Sequence, residues 1–341
     1  MRYPNFIRPG DTIGFAAPAF GCATEPYRTA FDHSLEIWEE RGFGIKLGPN
    51  CYMDKGIGIS NTPEKCAAEL MQLMQDAENS CVISCGGGEL MCEILPYLDF
   101  QRLAEEPAKW FMGYSDNTNI TFLLTTLTDT AAVYGPCAAA FGMEPWHPAI
   151  LDACELLQGR KLTLHNYEKW ERESLKDEDH PLEPYHVTED FRLHSENAET
   201  GTRFAGRLLG GCLDCLSNLA GTRFDRVREF AERYRDDGIL WFLESCELNT
   251  MDIRRTLWNL REAGWFEGAS GFLVGRPGIF GEPVMGLDQY EAVTGVLGGL
   301  GVPVLMDLDI GHTAPMMPLV SGAFGTVVTG EDQVTIEMAL R

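Results

Sequence analysis

The sequence predicts an α/β protein whose core is a parallel sheet covered by helices on both faces. Two patterns point there. Through the first 165 residues, apolar runs of strand length alternate with longer stretches whose apolar residues recur every three or four positions. Beyond residue 200 the same alternation resumes. Strands separated by helices pair in parallel and need cover on both sides of the sheet.

The elements follow in order. Residues 12–18 (TIGFAAP) read as a buried strand. Tyr27, Phe31, Leu35 and Trp38 then mark one helix face, which Gly42 stops, and 43–47 form a second strand. Thr62-Pro63-Glu64 starts a helix, a capping hydroxyl followed by proline at the first helical position, with Cys66, Leu70, Leu73 and Met74 inward. Residues 81–84 are a strand running into Gly86-Gly87-Gly88, and 110–112 and 131–134 are further strands flanking a helix. In the second half, 239–243 (ILWFL), 271–274 and 302–306 read as strands. Residues 250–263 read as a helix ended by Gly264, and the tail as a hairpin turning at Gly330-Glu331-Asp332. Between the halves, 166–200 holds 11 acidic and 4 basic residues with little apolar period, the composition of a linker or lid. The expected domains are therefore 1–165, an acidic linker or lid at 166–200, and 201–341.

Composition narrows the function. The chain of 341 residues carries 27 basic against 51 acidic residues, a formal net charge of −24. That field repels nucleic-acid polymers and anionic membrane surfaces. No uncharged apolar run approaches the roughly 18 residues of a membrane span. The eleven scattered cysteines suggest reduced thiols and a cytoplasmic location.

The sharpest chemical feature lies in 110–124 (WFMGYSDNTNITFLL). An apolar strand enters Gly113-Tyr114-Ser115-Asp116-Asn117 and leaves as a helix. A small residue two before the serine permits a sharp turn that projects the hydroxyl beside the positive end of the helix. Asn117 replaces the second glycine of G-x-S-x-G, so Ser115 reads either as a nucleophile or as a helix cap. A nucleophilic serine needs a base and the base an orienting carboxylate. Of seven histidines, His147, His165, His180, His186 and His194 lie in polar or proline-rich stretches and His33 sits mid-helix on an expected surface. His312 follows a strand in a loop opened by Gly311, where α/β proteins present functional groups. Glu244 ends a buried strand, a position costly for a carboxylate unless it is paired. Glu247 is the second candidate. Amides at Gly86-Gly87-Gly88 and at Asp116 are candidates for an oxyanion hole. A dinucleotide loop there fails its fingerprint, because Met91 stands where the third glycine belongs. Gly210-Gly211 opens another expected helix. Cys212-Leu-Asp-Cys215 has no second pair and reads as residues of a helix face, so no metal is expected.

Together these blocks resemble the LD-carboxypeptidase family (serine peptidase family S66), which includes the microcin C immunity peptidases. The resemblance runs through Gly10-Asp11, Cys85-Gly-Gly-Gly-Glu-Leu90, Gly113-Tyr-Ser-Asp-Asn-Thr118, Gly206-Arg-Leu-Leu-Gly-Gly211, Leu243-Glu-Ser-Cys-Glu247, Leu273-Val-Gly-Arg-Pro277 and Ile310-Gly-His312. It implies a Rossmann-like N-terminal domain with a parallel sheet, a smaller α/β C-terminal domain and a homodimer. It implies Ser115 as nucleophile, His312 as general base and Glu244 as its orienting acid. The amides of Asp116 and of Gly86 or Gly87 would bind the oxyanion, and no cofactor would be needed. The implied substrate is a small murein-type peptide cut before a terminal D-Ala during cell-wall recycling, or alternatively a peptidyl- or aminoacyl-nucleotide conjugate. A catalytically silent peptide-binding protein is the reading of another class. Cys85, Gly88 and Cys212 depart from the arginine, aromatic and asparagine common at these places. Tyr167, Trp170 and Tyr185 are candidates for stacking on a nucleobase or for anchoring a loop.

Overall fold

Residues 1–331 and 333–341 are described in the computed structural model; Asp332 of the expected tail turn lies outside them. The chain divides into two units, one of Met1–Lys161 with Glu173–His186, the other of Leu162–Arg172 with Val187–Arg341. The acidic stretch 166–200 is thus shared between the units.

The first unit is built on strands β1 (Thr12–Ala16), β2 (Gly44–Leu47), β3 (Asn79–Ser84), β4 (Trp110–Gly113) and β5 (Ala132–Tyr134). They lie in the order β5-β4-β3-β1-β2, all parallel. Helices α1 (Tyr27–Glu40), α2 (Pro63–Gln75), α3 (Phe100–Glu105), α4 (Thr118–Thr128) and α5 (Pro148–Leu157) connect or follow them. α1 buries Phe31 and Trp38, and Trp38 packs against Phe43 and Phe141. A Cβ on Gly142 would stand 1.8 Å from the Ala30 carbonyl oxygen, so only glycine permits this approach to α1. His33 of α1, expected on a surface, donates from Nδ1 to the Gly142 carbonyl at 2.8 Å and is only partly exposed. α4 is buried nearly all round rather than along one face. Its threonines allow this because Thr121, Thr125, Thr126 and Thr128 each donate to the carbonyl four residues back, leaving no hydroxyl unsatisfied.

The second unit has the strands β6 (Thr163–His165), β7 (Lys169–Trp170), β8 (Glu189–Asp190), β9 (His194–Glu196), β10 (Arg203–Cys212), β11 (Ile239–Glu244), β12 (Ala269–Gly275), β13 (Val304–Leu308), β14 (Leu319–Ser321), β15 (Phe324–Thr329) and β16 (Val334–Ala339). Its main sheet runs β6-β16-β15-β10-β11-β12-β13-β9, with β10 to β13 parallel and the flanking strands antiparallel. β7 and β8 form a separate ribbon inside the acidic stretch. Helices α6 (Leu213–Leu219), α7 (Val227–Arg233), α8 (Thr250–Glu262) and α9 (Gln289–Leu297) complete the unit. Trp241 of β11 stacks on Trp265 at 5.9 Å and meets Phe266 edge-on, filling the core on one face. Gly210 and Gly211 lie in β10 rather than opening a helix. A Cβ at Gly210 would fall 1.7 Å from the Phe242 carbonyl oxygen, so the neighbouring strand excludes any side chain there. No helix among the described residues is long and apolar enough to cross a membrane.

Candidate active site

Ser115 sits where β4 turns into α4, in a left-handed backbone conformation with φ of +62°. That conformation costs a non-glycine residue about 1–2 kcal/mol and occurs where the surroundings impose it. Several contacts do so. The Ser115 amide donates to the Tyr134 hydroxyl at 3.2 Å. Asn117 Nδ2 donates to the carbonyls of Gly86 (2.8 Å) and Tyr114 (3.0 Å), tying the serine turn to the glycine turn. A Cβ on Gly113 would come within 2.8 Å of Asn117 Cγ, which explains the small residue two before the serine. The Asp116 carboxylate is buried and accepts from the Met91 amide at 2.8 Å and from Asn119 Nδ2 at 3.0 Å. Its side chain is therefore a fastener for the 3₁₀ turn Met91–Tyr97.

The glycine turn lies against the serine. A Cβ on Gly87 would meet Ser115 Cβ and Oγ at 3.2 Å. The Gly87 carbonyl is taken by the Phe20 amide at 2.6 Å, so this peptide is fixed from the far side. Among the described residues, the amides of Gly86 and Gly87 have no protein acceptor.

In the second unit Glu244 is the last residue of β11 and 1% exposed. Its Oε2 accepts from His312 Nδ1 at 2.8 Å. Gly311 makes room for this contact: with φ of +97°, it would place a Cβ 2.4 Å from the same oxygen. Burial disfavours the charged imidazole, but the Glu244 carboxylate and the neighbouring Cys246 thiol outweigh it and hold the His312 pKa well above its usual value. Glu247 is exposed, and its amide, with that of Cys246, is held by Asp214.

The loop carrying His312 has its own brace, which the sequence did not disclose. Arg276, 1% exposed, pairs with the buried Asp309 and donates to the Asp307 carbonyl at 2.5 Å. Asp309 also accepts the Tyr167 amide at 2.7 Å. Asp307, at φ +64°, accepts from the Tyr290 hydroxyl at 2.6 Å, and Tyr290 stacks on His194. Arg276 belongs to a block that resembles the family, which is the one sequence signal for it.

The remaining candidates divide. Trp170 is in the second unit, nearly buried against Phe280 at 5.0 Å with the Arg276 guanidinium 5.1 Å from its ring, and it borders a cavity of about 380 Å³ with Arg172 and Arg192. Tyr185 is in the first unit, 5.4 Å from the His147 ring. His147, in its proline-rich stretch, accepts the Ala149 amide at the start of α5, and burial lowers its pKa. Cys212 does not lie on a helix face. It ends β10, and its thiol faces Glu244 and His312.

Both halves of the chain are similar to known proteins. Residues 13–135 match the model of the LD-carboxypeptidase N-terminal domain and residues 205–327 that of the LD-carboxypeptidase C-terminal domain. The microcin C7 self-immunity protein MccF of Escherichia coli is 28% identical over 325 residues, covering 92% of this chain and 89% of the relative. An MccF-like protein from Bacillus anthracis superposes with a TM-score of 0.81 at 21% identity, covering all of both chains. MccF in complex with glutamyl sulfamoyl guanosine superposes with a TM-score of 0.80 at 24% identity, covering 98% of each chain.

Proposed function

The chain belongs to the LD-carboxypeptidase family, peptidase family S66, and from that premise we propose that it is a serine hydrolase cleaving the amide of an aminoacyl- or peptidyl-nucleotide conjugate. The family supplies hydrolysis of peptide or amide bonds. In the proposed mechanism Ser115 Oγ attacks the carbonyl carbon while His312 Nε2 takes the hydroxyl proton. The amides of Asp116 and of Gly86 or Gly87 stabilise the oxyanion. His312 then gives the proton to the leaving nitrogen, the amide bond breaks, and water hydrolyses the acyl-serine with His312 again as base. Glu244 holds the imidazole with Nδ1 protonated and stabilises its charge.

The observation that carries this reading is the buried Glu244–His312 pair at 2.8 Å, together with the strained Ser115 turn, each in its own unit. The nucleotide conjugate is favoured by the full-length similarity to MccF and by the MccF structure that holds glutamyl sulfamoyl guanosine. The second reading is an L,D-carboxypeptidase releasing terminal D-Ala from a murein tetrapeptide, favoured by the description of the family itself.

The test offers the purified chain both substrates, a glutamyl or aspartyl nucleotide conjugate and a tetrapeptide ending in D-Ala. Release of the amino acid from the conjugate, with little D-Ala released, is the expected result. The reverse preference selects the second reading, and inertness toward both defeats the pair. Ser115→Ala is expected to lower turnover by about 10⁴-fold or more, measured at saturating substrate. Unchanged turnover removes the serine from the mechanism.

A further inference from the structure

Cys212, Glu244 and His312 place a thiol, a carboxylate and an imidazole nitrogen all within 4.8 Å of one another. The first two are fixed by register: β10 and β11 are parallel neighbours and Cys212 pairs with Glu244 at their ends. Successive strands in this register send the two side chains out side by side at the same edge of the sheet. His312 reaches them from the loop after β13, which the Arg276–Asp309 pair holds in place. Cys212 and Glu244 are each 1% exposed, whereas the His312 side chain keeps 16% exposure, so the cluster opens to solvent along the imidazole.

From this juxtaposition we infer that Cys212, Glu244 and His312 form a binding site for one divalent cation of the zinc class. The chemistry selects the ion. Thiolate and imidazole favour zinc over magnesium or calcium, which take oxygen ligands. Tetrahedral zinc, with bonds of about 2.0–2.3 Å, needs donors about 3.3–3.8 Å apart, so donors at the 4.8 Å limit move in by at most about 1.5 Å, while the Glu244–His312 contact of 2.8 Å opens by about 0.5–1 Å if Nδ1 takes the metal. A thiolate, a carboxylate and a neutral imidazole carry two negative charges, which cancel those of the ion in a buried place. On binding, the Cys212 thiol and the His312 nitrogen that takes the metal each release any proton they hold to solvent, and a water fills the fourth position. The ion then occupies groups that the hydrolytic reading assigns to the base and its orienting acid. Zinc is therefore an inhibitor, a consequence that rests on that reading, whereas the binding itself does not.

The experiment uses the full chain, freed of metal by chelation, with zinc chloride followed by calorimetry and cobalt chloride by absorption. Expected are one high-affinity zinc per chain and a thiolate-to-cobalt charge-transfer band. Cys212→Ala removes the band and weakens zinc by at least about tenfold, while Cys92→Ala, in the first unit, leaves both unchanged. Cys212→Ser, which preserves the volume of the side chain, repeats the measurement if the alanine variant folds poorly. Absence of the band from the wild-type chain, or equal zinc affinity in the Cys212 variants, overturns the site. In the activity assay, zinc is expected to inhibit the wild type and to spare Cys212→Ala. Zinc that binds through Cys212 without slowing hydrolysis upholds the metal site and counts instead against His312 as base.

Discussion

The turn that carries Ser115 and the loop that carries His312 are held by different forces. Around Ser115 the work is mainly steric, and the buried carboxylate beside it, that of Asp116, is held by amide donors. A strained backbone, a Gly113 that admits no Cβ, the Asn117 side-chain amide donating to Gly86, and the Ser115 amide donating to the Tyr134 hydroxyl fix the turn. Around His312 the work is ionic and buried. Glu244 holds the ring and the Arg276–Asp309 pair holds the loop. A nucleophile requires a position, which packing provides. A base requires both a position and a tuned proton affinity, and only charge provides the second.

Glu244→Gln breaks the contrast most directly. Glutamine has the same shape and keeps the fit against Gly311, but it removes the charge. About a 10⁴-fold loss of kcat is expected, as where an orienting carboxylate is neutralised in other serine hydrolases. The pH profile carries a second signal. In the proposed mechanism His312 must be neutral to accept a proton, and its pKa is raised, so the acidic limb of kcat/KM is expected above 6.5 in the wild type. Without the carboxylate, burial acts with less opposition and the limb moves to lower pH. A limb that stays in place means Glu244 does not set the proton affinity. The same shift has a stability sign: the charged His312 stabilises the fold at pH values below the unfolded pKa, and this is lost as pH rises through the folded one.

Arg276→Met tests the brace. It leaves the Asp309 carboxylate buried without its cation, at a cost of about 3–5 kcal/mol measured by urea unfolding. Protonation of Asp309, whose pKa burial already raises, is expected to recover part of this at low pH. A loss below about 1 kcal/mol is the value of an exposed ion pair and means that this one does not brace the loop.

The contrast also explains what the sequence discloses. Gly113, Ser115 and the strand-to-helix change lie within a few residues, so the serine turn is legible locally. Glu244 is legible because an apolar strand running into a carboxylate demands a partner. The Arg276–Asp309 pair joins residues 33 apart in sequence, and the pairing of Cys212 with Glu244 depends on which strands are neighbours. Neither is a local property, so the expected helix-face cysteine is instead a group beside the histidine. α4 misleads for another reason. Its threonines read as a polar face until their hydroxyls are seen to bond the preceding turn of the helix.

Gly87→Ala probes the steric side. The backbone at Gly87 is not left-handed, so alanine fits the chain itself, but its methyl would press on Ser115 Cβ and Oγ at 3.2 Å. Displacement of the hydroxyl by a few tenths of an ångström is expected to lower kcat by up to about a hundredfold, with little change in stability. Equal activity means that the glycine turn does not bear on the nucleophile.

Ser115→Gly has the smallest expected effect on stability and separates strain from function. Glycine adopts φ near +62° without the clash that serine bears there, so the variant is expected to gain about 1 kcal/mol in urea unfolding while losing turnover. Part of the gain is offset by the greater freedom of glycine in the unfolded chain. A stabilised, inactive protein means that the fold pays to keep a side chain at this turn, which a mere helix cap would not require. A destabilised one means that contacts of the serine side chain outweigh the backbone strain, and the steric account of this turn fails.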